Sequence, residues 1–451
     1  MEEATSFGSL PVELFDIILR LAASDDNQYA SLLPLVCCSW RCSSSLRSTC
    51  CGAPAGARGV RCTNHITLAM TAARAGQLGA LKWLREKGWT TLEQTTCACA
   101  SQGGHLDLLI WLRENECDWD QATCLMAAEG GHLEVLKWAR EHGCVWISGE
   151  CSAVAAKGGH LEALQWMYNE GCVWSSRTLD LAAREGHFEL LKWARGRGCP
   201  SSEETCPLAA LGGHFEALKW LRSVGIGWGE TCAFAAAGGH PEILKWAREQ
   251  GCPLSAACCA EAGGNGDLPL LVWLRENGCD WSFETCRKAA AGGHLEVLKW
   301  TIENGAKKFF TPGLCAAAAG GCQVEVLRWL RERGCSWNAA TCTQASEQGK
   351  LETLRWAREN GCIWTADACA AAAKGGHLEV LKWLREQGCP WKADTCVSAA
   401  RNGRVKVLKW AIENGCPWKL SDCLKAASKF PGVKWWLQQQ HSFEGTQVMF
   451  I

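Results

Sequence analysis

Cysteine and histidine are the residues whose number and spacing could do chemistry in this chain of 451 residues, which holds 31 cysteines and 11 histidines. Such residues could ligate zinc, form disulfides, or supply a nucleophile and its base. Most of them fall into three periodic series. One is Cys97, Cys124, Cys151, Cys206, Cys232, Cys286, Cys315, Cys342, Cys369, Cys396 and Cys423. A second is Cys117, Cys144, Cys172, Cys199, Cys252, Cys279, Cys335, Cys362, Cys389 and Cys416. The third is His105, His132, His160, His187, His214, His240, His294 and His377, each preceded by glycine. Zinc needs its ligands within ~2.0–2.3 Å of one point. Equivalent positions on stacked helix pairs lie ~8–10 Å apart, so periodic copies do not converge on one ion. The same spacing exceeds the ~7 Å Cα limit for a disulfide between stacked copies. The adjacent pairs Cys37-Cys38, Cys50-Cys51 and Cys258-Cys259 lack zinc-knuckle spacing. No phosphate-loop motif, no His-Glu-x-x-His and no nucleophile elbow occurs. The expectation is therefore no catalytic residue, no metal and no cofactor, with each histidine tying a turn through backbone hydrogen bonds.

The periodicity comes from the elements that carry these residues. A Leu-Lys-Trp tripeptide or close variant places tryptophan at 83, 111, 138, 166, 193, 220, 246, 273, 300, 329, 356, 383 and 410, with a degenerate copy at Trp435 or Trp436. The intervals run from 26 to 29 residues. In the unit beginning at Ala366, an alanine-rich stretch after the cysteine suits a short helix, and Gly-Gly-His then interrupts it. Leu378, Val380, Leu381, Trp383 and Leu384 next form the apolar face of a second helix, which Gly388 ends. Glu379, Lys382, Arg385 and Glu386 fall largely on its other face. A helix pair this short cannot bury its own apolar face, so the units must stack. The spacing predicts an all-α solenoid of about fourteen units over residues 65–440, with a tail at 441–451.

The Ala-Ala-x-x-Gly-His stretch and the Leu-Glu-Val-Leu-Lys helix resemble the ankyrin repeat. The unit is 27 residues against the family's usual ~33. Alignment of the helices puts the whole deficit between Cys389 and Cys396, where the family carries a protruding β-hairpin, so almost no strand is expected. The resemblance places the first cysteine series where ankyrin repeats bury leucine and the second where they have a small alanine. Trp119, Trp146, Trp281 and Trp391 then replace a buried valine. Free cysteine is a small, commonly buried hydrophobe, so most of the cysteine and tryptophan excess reads as core.

Residues 9–41 do not follow the repeat. Leu10, Leu14, Ile17, Ile18 and Leu21 form one helical apolar face, with Pro11 suited to the helix start. Leu32, Leu33, Leu35, Val36 and Trp40 form another. Leu-Pro-x-Glu-Leu, Ile-Ile, Leu-Val-Cys and Ser-Trp-Arg resemble an F-box, here a small helical module over residues 8–48 joined by a Gly/Ala/Pro-rich linker over 49–64. The resemblance implies docking of a Skp-type adaptor of a cullin–RING ubiquitin ligase through Leu10, Pro11, Leu14, Ile17, Ile18, Val36 and Trp40. The alternative is a helical cap on the end of the solenoid.

Net charge is -1 and the isoelectric point is near 6.8, a balance that argues against a nucleic-acid partner. No run approaches the ~20 apolar residues of a membrane helix, and no export signal, glycosylation sequon or lipidation cysteine is seen. A soluble cytoplasmic protein with reduced thiols is expected, the nucleus being an open alternative. The ankyrin resemblance turns Gln102, Glu129, Lys157, Arg184, Leu211, Glu347, Lys374 and Arg401 toward a target-binding groove. They vary while the flanking positions repeat, as a tailored groove or an unconstrained surface both would. The leading reading is a protein–protein interaction module that recruits an unidentified target to a ubiquitin ligase. The rivals are a scaffold or sequestering protein with no ubiquitin link and, more distantly, a cysteine-rich metal buffer.

The adaptor and cap readings of the N-terminal module separate on one double variant. If the module binds an adaptor, Leu14→Ala with Ile17→Ala abolishes adaptor pull-down and leaves the melting of the array unchanged. If it caps the array, the same pair lowers stability by several kcal/mol, as buried aliphatic truncations do.

Overall fold

The computed structural model describes residues 63–86, 92–146 and 148–447. The F-box-like module at residues 8–48, and with it Leu10, Pro11, Leu14, Ile17, Ile18, Val36 and Trp40, lies outside the described residues, as does nearly all of the linker. Among the described residues the chain is all-α, with no strand. Fourteen helix pairs follow one another, from Thr63–Arg74 with Leu78–Glu86 to Leu420–Ala426 with Pro431–Gln447. The chain divides between Gly229 and Glu230 into two compact units.

The pair Ala366–Gly375 and Leu378–Glu386 shows how the sequence makes each element. The Thr365 hydroxyl accepts from the Asp367 amide and caps the first helix. The first helix stops at Gly376, whose φ of 86° is left-handed. The second helix closes in a Schellman arrangement: the Gly388 amide donates to Arg385 at 3.0 Å and the Cys389 amide to Leu384 at 2.9 Å. Residues 387–392 then lead to the next helix without a strand, as the deleted hairpin required.

Small side chains let the first helices approach closely. Ala368, Cys369, Ala372 and Ala373 are fully buried, and within each unit successive first helices pack side by side. Val380, Leu381 and Leu384 of the second helix fill the space beneath them. Among the described cysteines all but Cys322 are buried, and none forms a disulfide. Trp383, placed on the apolar face by periodicity, is only half-buried.

The longest interval, from Trp300 to Trp329, has a local cause. A 3₁₀ turn over Ala306–Phe309 takes up the extra residues after Gly305. Ala306 stands there in place of the usual cysteine, and Phe310 meets Trp329 edge-on at 6.4 Å.

Leu381→Ala should cost ~2–5 kcal/mol in denaturant unfolding, because it leaves a cavity at a fully buried site. Val145→Ala, at a residue 67% exposed, should stay within about 0.5 kcal/mol. Circular dichroism of the intact chain should be helix-dominated. Among the described thiols Cys322 should react first with a thiol reagent.

Candidate binding surface

The groove residues expected from the sequence sit in the last turn of successive first helices, and the stacking lines them up. In the N-terminal unit the Gln102 side-chain amide donates to a Glu129 carboxylate oxygen at 3.4 Å, and Lys157 stands 3.9 Å from Glu129 on the other side. Arg184 and Leu211 continue the row; Arg184 is exposed and lies 4.0 Å from Glu185. In the C-terminal unit Lys374 pairs with Glu347 at 2.7 Å, and Arg401 is exposed beside Asp422, Lys425 and Phe430. Earlier in the C-terminal unit Ala237, Gly264, Ala291 and Gly320 hold the equivalent positions. The N-terminal unit's row is therefore charged at Glu129–Lys157–Arg184, and the C-terminal unit's is bare from Ala237 to Gly320 and charged at Glu347–Lys374–Arg401. Ion pairs this exposed contribute about 0–1 kcal/mol, which leaves their charge available to a partner.

One turn earlier on the same helices runs a row that the sequence reading missed. In the N-terminal unit, after Thr71 and the buried Cys99, it consists of Met126, Val154, Leu181 and Leu208, all half-buried. Their helices are apolar on more than one face, so periodicity alone does not single these residues out. A turn earlier still, Arg177 pairs with Glu150 at 3.0 Å. The apolar row thus lies between two charged ones. In the C-terminal unit the same row is mostly small or polar: Phe234, Glu261, Lys288, Ala317, Gln344, Ala371 and Ser398, with Lys288 on Glu261 at 2.6 Å.

The repeated residues form the frame. Six of the eight turn histidines reach back across the stack and donate the Nε2 proton to a carbonyl about thirty residues upstream. His132 bonds the Gln102 carbonyl at 2.9 Å, His160 that of Glu129 at 2.9 Å and His187 that of Lys157 at 2.9 Å. His105 and His214 act on Arg74 and Arg184 at 3.0 Å, and His294 on Gly264 at 2.8 Å. The bond therefore joins neighbours rather than tying only its own turn. Gly131 shows why glycine precedes the histidine: its φ is 72°, and a Cβ there would collide with the His160 ring. Where aspartate or arginine replaces the histidine, Asn265 donates to Ala236 at 2.9 Å and Arg404 to Lys374 at 3.3 Å.

The tryptophans correct the core assignment. Trp146 is buried, but Trp119, Trp281 and Trp391 are half-buried. Each meets the second-helix tryptophan of the next repeat edge-on: Trp119 with Trp138 at 5.6 Å, Trp281 with Trp300 at 5.5 Å and Trp391 with Trp410 at 6.0 Å. An arginine covers the other face, as Arg113 does Trp119 at 4.5 Å and Arg275 does Trp281 at 4.4 Å. The same arginines donate to the Cys117 and Cys279 carbonyls at 2.6 Å.

The two cysteine series also meet. The Cys97 thiol donates to Cys117 Sγ, and the Cys117 thiol donates to the Glu93 carbonyl at 3.3 Å, at the start of the same unit's first helix. The hydrogen bond from Cys97 and the charge of Arg113 hold the Cys117 thiol below its ordinary range, while the same pairing and burial push Cys97 up. Among the described residues no group of three or more His, Cys, Asp or Glu is placed to hold a metal ion, and no helix is long and apolar enough to cross a membrane.

No family model matches the chain, and no curated protein matches it in sequence. The human ASB11 ankyrin repeat domain is 20% identical over 40% of this chain and 96% of its own, with a TM-score of 0.31. The maize pentatricopeptide repeat protein PPR10 is 13% identical over 98% of this chain and 79% of its own, with a TM-score of 0.31. PPR10 in complex with an 18-nt psaJ RNA element is 12% identical over 96% of this chain and 79% of its own, with a TM-score of 0.35. These are helical-repeat proteins, in keeping with the fold. The expectations about partners are corrected: PPR10 is a helical-repeat protein found with RNA, net charge alone does not exclude such a partner here, and a Skp-type adaptor receives no support. Net charge sums over all residues and does not fix the charge of any one face.

His132→Ala leaves the Gln102 carbonyl without its donor and should cost ~1–3 kcal/mol in denaturant unfolding. Replacing exposed His142, which stacks on Trp138 within its own helix at 4.3 Å, should cost much less.

Proposed function

We propose that the array is a non-enzymatic binding scaffold that holds a partner protein against the accessible side of its first helices, centred on Met126, Val154, Leu181 and Leu208. The observation that carries this reading is the row itself. Half-exposed apolar side chains recur on the first helices of four successive repeats. Glu129, Lys157 and Arg184 flank them a turn to one side, and Glu150 with Arg177 a turn to the other. An apolar middle with a polar rim is the usual anatomy of a protein interface. Repetition supports it from the other direction: histidine, arginine and tryptophan recur because they build the frame, whereas these rows differ from helix to helix.

A finer version of this reading adds ubiquitin. Residues 9–41 resemble an F-box, and in that version the held protein is presented for modification within a cullin–RING ligase. It rests on that segment alone. Without it the protein is a scaffold or sequestering factor.

Val154→Glu with Leu181→Glu puts two charges in the middle of the row without touching a fully buried site. Captured partners from native lysate should fall by more than about tenfold, a loss of ~1.4 kcal/mol or more, with the melting curve unchanged. An unchanged set of captured proteins would sink the reading. Absence of every cullin-complex component from complexes of the intact protein would retire the finer version.

A further inference from the structure

The two thiol series lie 20 residues apart and meet within single repeats, where periodic comparison of equivalent positions does not look. Cys97 Sγ is 3.3 Å from Cys117 Sγ, and Cys259 Sγ is 3.3 Å from Cys279 Sγ. The same hydrogen-bonded pairing joins Cys124 to Cys144, Cys232 to Cys252 and Cys315 to Cys335. It joins Cys342 to Cys362, Cys369 to Cys389 and Cys396 to Cys416 as well. At Cys279 a third thiol, that of Cys258, joins the group. A disulfide is ~2.05 Å long, so these two pairs need about 1.3 Å of closure from 3.3 Å.

We propose that these paired thiols are oxidation sites, at which a hydroperoxide converts two buried cysteines of one repeat into a disulfide. The Cys117 thiolate attacks one oxygen of hydrogen peroxide. The O–O bond breaks, hydroxide leaves and is protonated to water, and Cys117 becomes a sulfenic acid. Cys97 gives up its proton and attacks the Cys117 sulfur. The S–O bond breaks, hydroxide leaves and takes up that proton, and the S–S bond forms. Two electrons pass from the sulfurs to peroxide, which ends as two waters. The thiolate is the nucleophile in such chemistry. The hydrogen bond from the partner thiol favours that form at Cys117, Cys144, Cys335, Cys362, Cys389 and Cys416. Each bond would tie a first helix to the turn that ends its own second helix.

The chain carries its own controls. Leu179 stands twenty residues before Cys199, and Ala306 twenty after Cys286. Cys199 and Cys286 are as buried as the paired thiols. A mechanism that depends on pairing must spare them, and one that depends on burial or cysteine content alone must not.

The test treats the reduced full chain with hydrogen peroxide, alkylates the remaining thiols and maps cross-linked peptides without reduction by mass spectrometry. Links should appear at Cys97–Cys117, Cys124–Cys144 and the other pairs, with a thermal midpoint several degrees higher and no links from Cys199 or Cys286. Folded protein with no such links, or with links from those two as often, would overturn the proposal. Cys389→Ala copies what Ala306 already does in its own repeat. It should remove the Cys369–Cys389 link alone, and persistence of a Cys369 link to another cysteine would count against specific pairing. Cys369→Ala leaves the nucleophile without its resolving partner, so Cys389 should be trapped by dimedone as a sulfenic acid. A folded Cys369→Ala chain with no adduct at Cys389 would also overturn it.

Discussion

A pair of helices nine or ten residues long has more apolar surface than it can cover by itself. The frame of the described array answers to that shortage. The first helices are made of alanine and cysteine because only small side chains let them approach closely enough to bury one another. The second helices supply the bulk, with Val380, Leu381 and Leu384 in one repeat and their counterparts elsewhere. The histidines then satisfy carbonyls that the stacking would otherwise leave short of a donor. The Ala-Ala pair, the Gly-His turn and the Leu-Lys-Trp helix form one device whose parts fail separately.

Much of the fold was legible because its causes are local. Alanine-rich stretches, glycines with left-handed φ and an apolar face of helical period specify the pair, and the missing residues between Cys389 and Cys396 specify the absent hairpin. What escaped the sequence is non-local. Periodicity compares residues 27 apart, whereas folding a helix pair back on itself brings Cys97 to Cys117, 20 apart. It also cannot tell a buried tryptophan from one lying under an arginine, so Trp119, Trp281 and Trp391 were read as core. Met126, Val154, Leu181 and Leu208 were lost for a related reason: on a short helix with several apolar faces, pattern does not say which face a neighbour covers.

The expected groove positions prove to be neighbours in space, Gln102 beside Glu129 beside Lys157 and Glu347 beside Lys374. Their usefulness lies less in their ion pairs, which are weak, than in a backbone fixed from behind. The carbonyls of Gln102, Glu129 and Lys157 are each held by a histidine of the next repeat. The side chains can therefore change while the main chain that presents them stays put. That separation lets variation in the rows coexist with uniformity in the frame.

The reach of those bonds has a genetic consequence. His132 to Gln102, His160 to Glu129 and His187 to Lys157 each span thirty or thirty-one residues, so every repeat is addressed only to its immediate neighbour. A gene segment encoding one such repeat carries an acceptor and a donor three residues apart, as the Glu129 carbonyl and His132 are. Unequal recombination that duplicates or removes such a segment leaves each remaining histidine one repeat away from a carbonyl. The length of the array is thus free to change in whole steps, while a deletion out of phase with the repeat breaks both bonds at once.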